Sequence, residues 1–155
     1  MPKLQPGAVV PDFSLPATGG GNWRLKDASG RPLVIYFYPK DMTSGCTREA
    51  QDFRDLHLAF RRAGVEIVGV SRDSVASHEK FKTKERLPFR LLADEGERVC
   101  KLFDVIREKS LYGRKYLGIE RSTFLLDARG VMRREWRKVK VPGHAEEVLE
   151  AAKSL

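Results

Sequence analysis

Two kinds of hydrophobic pattern alternate along the chain. Leu33-Val34-Ile35-Tyr36-Phe37-Tyr38 is an unbroken apolar run that Pro39 ends. Such a run predicts a strand covered on both faces. Beyond it, Cys46, Ala50, Phe53, His57 and Phe60 recur at spacings of 4, 3, 4 and 3. That spacing places them on one face of a helix, which Ala63-Gly64 closes. Val65 to Val70 predicts a second buried strand, Ser74 caps a helix to about Glu85, and Arg90 to Ala93 predicts a short third strand. Asp94 with Glu97 three residues on reads as a capping box for a helix through Phe103. Residues 104–120 read as a basic loop containing Gly113 and Gly118. Ser122 to Leu126 predicts a strand, Asp127 to Gly130 a turn, Val131 to Lys138 a strand pairing back, and Ala145 to Ser154 a closing helix. Residues 1–22 are rich in Pro and Gly and lead into a short strand at Trp23 to Leu25.

Strands and helices therefore alternate, which predicts an α/β sandwich of parallel strands with an antiparallel hairpin and right-handed crossovers. The 155 residues hold no repeat, low-complexity stretch or long linker, so a single domain over 1–155 is expected.

Composition narrows the functional classes. Apolar residues make up 41% and charged residues 32%, as in soluble globular chains. The longest apolar run has six residues, far short of the roughly 20 a membrane-spanning helix needs. Met1-Pro2-Lys3-Leu4-Gln5-Pro6-Gly7 lacks the apolar centre of a signal peptide. A cytoplasmic location with no membrane partner is expected. The formal net charge of +8 attracts anions in general. The basic clusters at Arg61-Arg62, Arg107 to Lys115 and Arg133 to Lys140 are not interleaved with aromatics, so nucleic acid is not expected as a partner. The two cysteines, Cys46 and Cys100, form no C-x-x-C, and His57, His78 and His144 have no metal-ligand spacing. Neither a zinc knuckle, a thioredoxin-type dithiol, a metal site nor a cofactor is expected.

Chemistry concentrates beyond the first buried strand. The loop Pro39-Lys40-Asp41-Met42-Thr43-Ser44-Gly45 delivers Cys46 to the start of a helix. Sites in α/β folds gather beyond the carboxyl ends of strands. A helix N-terminus carries partial positive charge and free N–H groups, which favour the thiolate of a cysteine placed there. Position alone leaves two readings open, an activated nucleophile and an inert buried thiol.

Pro39-x-x-x-Thr43-x-x-Cys46 resembles the peroxidatic signature of peroxiredoxins. Its flanks, Phe37-Tyr38-Pro39-Lys40-Asp41 and Gly45-Cys46-Thr47-Arg48-Glu49-Ala50, resemble the AhpC/TSA-like branch called bacterioferritin comigratory protein or peroxiredoxin Q. Pro11 to Pro16, Tyr112-Gly113, Gly118-Ile119 and Arg121 to Leu125 match that branch in order. The resemblance implies a thioredoxin-like three-layer fold, with a central mixed sheet flanked by helices. It also implies a peroxidase reducing hydrogen peroxide and organic hydroperoxides, with thioredoxin or another thiol as reductant. Cys46 corresponds to the cysteine that attacks peroxide and becomes a sulfenic acid. Thr43 corresponds to the hydroxyl bonding thiolate and substrate, Pro39 to the shield against water, and Arg121 to the arginine beside the sulfur. Glu49 corresponds to a carboxylate that orients such an arginine. The branch is often monomeric, so a monomer is expected, with a weak dimer as the alternative.

The pattern breaks at the resolving cysteine. Many members of this branch carry one five residues after the first, here Gln51, and another subset on the following helix, near Phe81-Lys82-Thr83; neither place holds a cysteine here. Three routes for reducing the sulfenic acid stay open: Cys100, an external thiol, or Cys46 of a second copy. Val99, Cys100 and Phe103 share an apolar helical face with Gly96, which favours core packing for Cys100. The basic residues Arg107, Lys109, Arg114, Lys115 and Arg121 are expected to add positive field at Cys46. The alternative from another class is a basic thioredoxin-fold binding module with a non-catalytic cysteine. A binder has no need of Pro39, Thr43, Cys46 and Arg121 together.

Overall fold

The elements in chain order are β1 (Ser14–Pro16), β2 (Asn22–Arg24), a 3-10 turn (Leu25–Ala28), β3 (Leu33–Phe37), α1 (Ser44–Asp55), α2 (His57–Arg62), β4 (Glu66–Ser71), α3 (Val75–Glu85), β5 (Arg90–Ala93), α4 (Arg98–Leu102), β6 (Ile106–Leu111), β7 (Arg114–Ile119), β8 (Ser122–Leu126), β9 (Met132–Trp136) and α5 (His144–Lys153). The structure, a computed structural model, describes residues 4–155. Met1, Pro2 and Lys3, part of the stretch read above for a leader, lie outside the described residues.

β3 is buried throughout and occupies the centre of a five-stranded sheet ordered β5-β4-β3-β8-β9. It pairs in parallel with β4 and antiparallel with β8; β4–β5 is parallel and β8–β9 antiparallel. The sheet is thus mixed.

Alternation along β3 builds two cores. Leu33, Ile35 and Phe37 pack with Val70, Phe124 and Leu126 on one face, under Phe13, Trp23, Val99, Cys100 and Phe103. Val34 and Tyr36 pack on the other with Cys46, Ala50 and Phe53 of α1, Phe60 of α2, Phe81 of α3 and Val148 of α5. The β3–β4 and β4–β5 crossovers step the same way across the sheet, so connections of one hand lay their helices on one face. Tyr36 stacks on Phe53 with ring centroids 4.8 Å apart, fastening α1 to the centre of the sheet.

Four sequence expectations change. The helix read from Cys46 to Ala63 is two helices that break at Leu56, where φ is −98° and ψ 1°. The apolar face continues through the break, so periodicity passes over it. Residues 104–120 are not a loop: β6 and β7 form a hairpin whose turn residues Tyr112 and Gly113 both have positive φ, 51° and 77°. That is the two-residue turn matching the twist of paired strands. The Asp94–Glu97 pair is no capping box. Glu97 is the N-cap, with φ 62° and no side-chain cap bond, while the Asp94 carboxylate accepts from the Cys100 N–H at 2.6 Å. The strand expected at Trp23 to Leu25 is Asn22–Arg24, paired antiparallel with β1.

Candidate active site

β3 ends at Phe37, and residues 38–43 carry the chain to α1 with Thr43 as N-cap residue. Cys46 is the third residue of α1, in the turn whose N–H groups lack helical acceptors. It lies on the inward face and is 1% exposed.

Arg121, between β7 and β8, reaches this turn. Its Nη2 donates to Cys46 Sγ at 3.5 Å and its Nη1 donates to Glu49 Oε1 at 2.7 Å. One guanidinium thus bridges the sulfur and a carboxylate one turn further along α1. Glu49 is 1% exposed. Burial outweighs the neighbouring guanidinium, and the Glu49 carboxyl is pushed up to about 7. Burial works against the charge of Arg121 too, but Glu49 and Cys46 hold that guanidinium above its ordinary value. Gly45, which the sequence reading passed over as a site residue, makes room for this arrangement. A Cβ on Gly45 would stand 3.1 Å from Arg121 Nη2.

Pro39 is half-buried at the head of the loop, and Thr43 is exposed at its end. The Thr43 hydroxyl donates to the Lys40 carbonyl at 2.9 Å, not to the sulfur. This is the local side-chain-to-backbone bond that threonine forms readily in turns. Of the basic residues expected to act together, Arg121 touches Cys46. Half-buried Lys109 is held below its usual range, by burial first and then by Arg121. Arg107 pairs with Asp104 at 2.8 Å and Lys115 with Glu108 at 3.5 Å, which spends their charge locally.

Cys100 lies in the other core, beneath the opposite face of the sheet from Cys46. It is fully buried, and burial together with the Asp94 carboxylate pushes its thiol far above the usual cysteine range. The positions at which the resemblance places a second cysteine serve packing here. Gln51 Nε2 donates to Glu85 Oε1 at 2.8 Å, and Lys82 Nζ donates to the Leu87 and Phe89 carbonyls at 2.8 and 3.1 Å.

One cluster escaped the sequence reading because its members are far apart in the chain. Asp41, Asp73 and His78 bring one ligand-capable atom each within 4.8 Å of the others. Their atoms are engaged by Tyr38, Ser71, Ser77 and backbone groups, the chemistry of a buried hydrogen-bond network rather than of an ion site.

The chain matches the AhpC/TSA family over residues 6–135. It is 47% identical over 152 residues to peroxiredoxin Bcp of Bacillus subtilis, covering 98% of this chain and 97% of that one. It is 51% identical over 151 residues to peroxiredoxin Bcp of Xanthomonas campestris, covering 97% and 94%. A solved peroxiredoxin Q of Xanthomonas campestris superposes with a TM-score of 0.90 at 51% identity, covering 97% and 96%. One from Xylella fastidiosa superposes with a TM-score of 0.93 at 40% identity, covering 99% and 98%. A further Xanthomonas campestris structure, of a bacterioferritin comigratory protein, with TM-score 0.90, 50% identity and coverage of 97% and 96%, concerns that protein's alkyl peroxide reduction. The class so defined is a thiol-dependent peroxidase with a thioredoxin fold. The chain belongs to the AhpC/TSA family. The binding-module alternative gives way to a peroxide substrate and a thiol reductant. Among the described residues no helix is long and apolar enough to cross a membrane.

Proposed function

We propose that Cys46 is the residue that reduces peroxide. The observation that carries this reading is the 3.5 Å donation from Arg121 to a sulfur held at a helix N-terminus. The thiolate attacks one peroxide oxygen and the O–O bond breaks. Sulfur becomes a sulfenic acid and the other oxygen leaves as water or an alcohol after taking up a proton. Negative charge moves from sulfur to the leaving oxygen beside the Arg121 guanidinium and at the positive end of α1, so these groups act most in the transition state. Glu49 fixes the guanidinium from the far side. Pro39 shields the sulfur from water. Thr43 turns its hydroxyl from Lys40 to sulfur and peroxide when substrate enters.

Hydrogen peroxide and organic hydroperoxides are the substrates in this reading. The alkyl peroxide reduction of the Xanthomonas relative supports the second class. An external thiol, thioredoxin or another, attacks the sulfenic acid, releasing water and forming a mixed disulfide. A second thiol then frees Cys46. The separation of Cys46 and Cys100 by the sheet supports this route, since a disulfide needs Cα atoms within about 7 Å. The protein acts as a cytoplasmic monomer formed of one domain. The test is peroxide consumption by wild type and Cys46→Ser with thioredoxin, thioredoxin reductase and NADPH. Turnover by wild type and none by the variant is expected. Turnover surviving in Cys46→Ser would overturn the assignment.

A further inference from the structure

The loop that presents Cys46 is not held by apolar packing alone. Tyr38 OH donates to Asp41 Oδ1 at 2.6 Å, and Ser77 Oγ donates to Asp41 Oδ2 at 2.8 Å. His78 Nδ1 lies 2.7 Å from the same Oδ2, and His78 Nε2 lies 2.9 Å from the Leu92 carbonyl of β5. The Asp41 backbone N–H donates to Asp73 Oδ2 at 2.9 Å, which also accepts from Ser71 Oγ at 2.6 Å. Asp41 is 4% exposed and His78 is fully buried.

These bonds tie the loop to three elements: the end of β4, the first turns of α3, and β5. They converge on one residue of the Cys46 loop. The next residue, Met42, has φ 68°, a left-handed conformation that a non-glycine residue holds only when its surroundings impose it. Asp41 and His78 are thus placed to dictate the path of the loop without touching the sulfur.

We infer that Asp41 and His78 are positioning residues for the peroxidase reaction, clamping the 38–43 loop to α3 so that the first turn of α1 presents Cys46 to Arg121 and substrate in reactive alignment. This inference rests on the reading of Cys46 as the peroxide-attacking residue. In-line attack on O–O demands alignment, and a displacement of about 1 Å costs up to about a hundredfold in rate. Alkylation by a small uncharged reagent demands much less.

The experiment measures, for the full chain, the second-order rate of Cys46 oxidation by hydrogen peroxide, its alkylation by iodoacetamide, and thermal stability. The variants are Asp41→Asn, His78→Gln and the milder Ser77→Ala, which removes one bond of the network. Asp127→Ala is the control: its Oδ1 accepts from the Arg129 and Val131 N–H groups at 2.9 and 3.1 Å, next to Leu126, which pairs with Leu33 at the end of β3 away from the loop. Asp41→Asn and His78→Gln are expected to slow oxidation about ten- to a hundredfold, and Ser77→Ala severalfold, while alkylation holds or quickens. Asp127→Ala is expected to lose stability with no change in oxidation rate. Folded network variants that oxidise as fast as wild type would overturn the proposal, as would equal losses of oxidation and alkylation. Where the harsher variants do not fold, Ser77→Ala decides by the same two rates. A wild-type Cys46 inert to peroxide would remove the peroxidase assignment itself, and that result is read before any variant is compared.

Discussion

At Arg121, one guanidinium serves two groups with opposing needs. Charge on Glu49 anchors the arginine, but burial makes that charge costly. A carboxyl raised from 4.5 to about 7 keeps its proton in the folded protein where the unfolded chain has released it. Stability therefore falls as pH rises from about 4.5 to 7, on the order of 3 kcal/mol in all. In Glu49→Gln this decline is expected to flatten, as urea unfolding at pH 5 and pH 7 checks. Arg121→Ala removes the donor to sulfur, and loss of one such donor costs about 10²–10³ in rate. Stopped-flow oxidation of Cys46 is expected to show that loss, with Arg121→Lys recovering little of it because lysine cannot fork between Cys46 and Glu49. Gly45→Ala is expected to act through the same arginine. Its new methyl presses on Nη2, so oxidation slows although no group of the proposed chemistry is removed.

Among the elements, what could be read in advance depended on which side chains meet a core. β3 is buried along its whole length, and its continuous apolar run announced it; β8 is equally buried but opens on Ser122 and Thr123. The β6–β7 hairpin was missed because most of its residues face water, so neither alternation nor a continuous run marks it. Its one signal was the Tyr112-Gly113 turn. Gly113 has open space around its absent Cβ and φ 77°, so Gly113→Ala is expected to cost about 1–2 kcal/mol from the backbone alone. Amide exchange should quicken in the hairpin and stay unchanged in β3. α5 depends on a different local feature: His144 Nε2 lies 2.8 Å from Thr123 Oγ1. Burial lowers its imidazole from 6.5 to about 4. Stability from this group is present above about 6.5 and is lost as pH falls toward 4.

The sequence motif supplied Cys46, Arg121 and Glu49, which the structure brings together, but not the means of their alignment. Asp41 and His78 bond at a sequence separation of 37, beyond any local pattern. The Thr43 hydroxyl bond also depends on local geometry that residue identity does not disclose.

For the whole molecule, the consequence of the two-core layout is chemical. Alternation along β3 gives the sheet two apolar faces, α1 seats Cys46 on one and α4 seats Cys100 on the other, and the pleated sheet stands between them. Cys100→Ser is therefore expected to lose some stability and to keep the wild-type rate of turnover with an external thiol. Peroxide consumption with thioredoxin or a small dithiol as reductant checks this. The most direct measurement is the addition of one equivalent of hydrogen peroxide to fully reduced protein, followed by rapid quenching and peptide mass spectrometry with a sulfenic-acid trap. The expected result is a single added oxygen trapped on Cys46, with Cys100 still reduced. No change at Cys46 over minutes, or oxidation that begins at Cys100, would contradict the account.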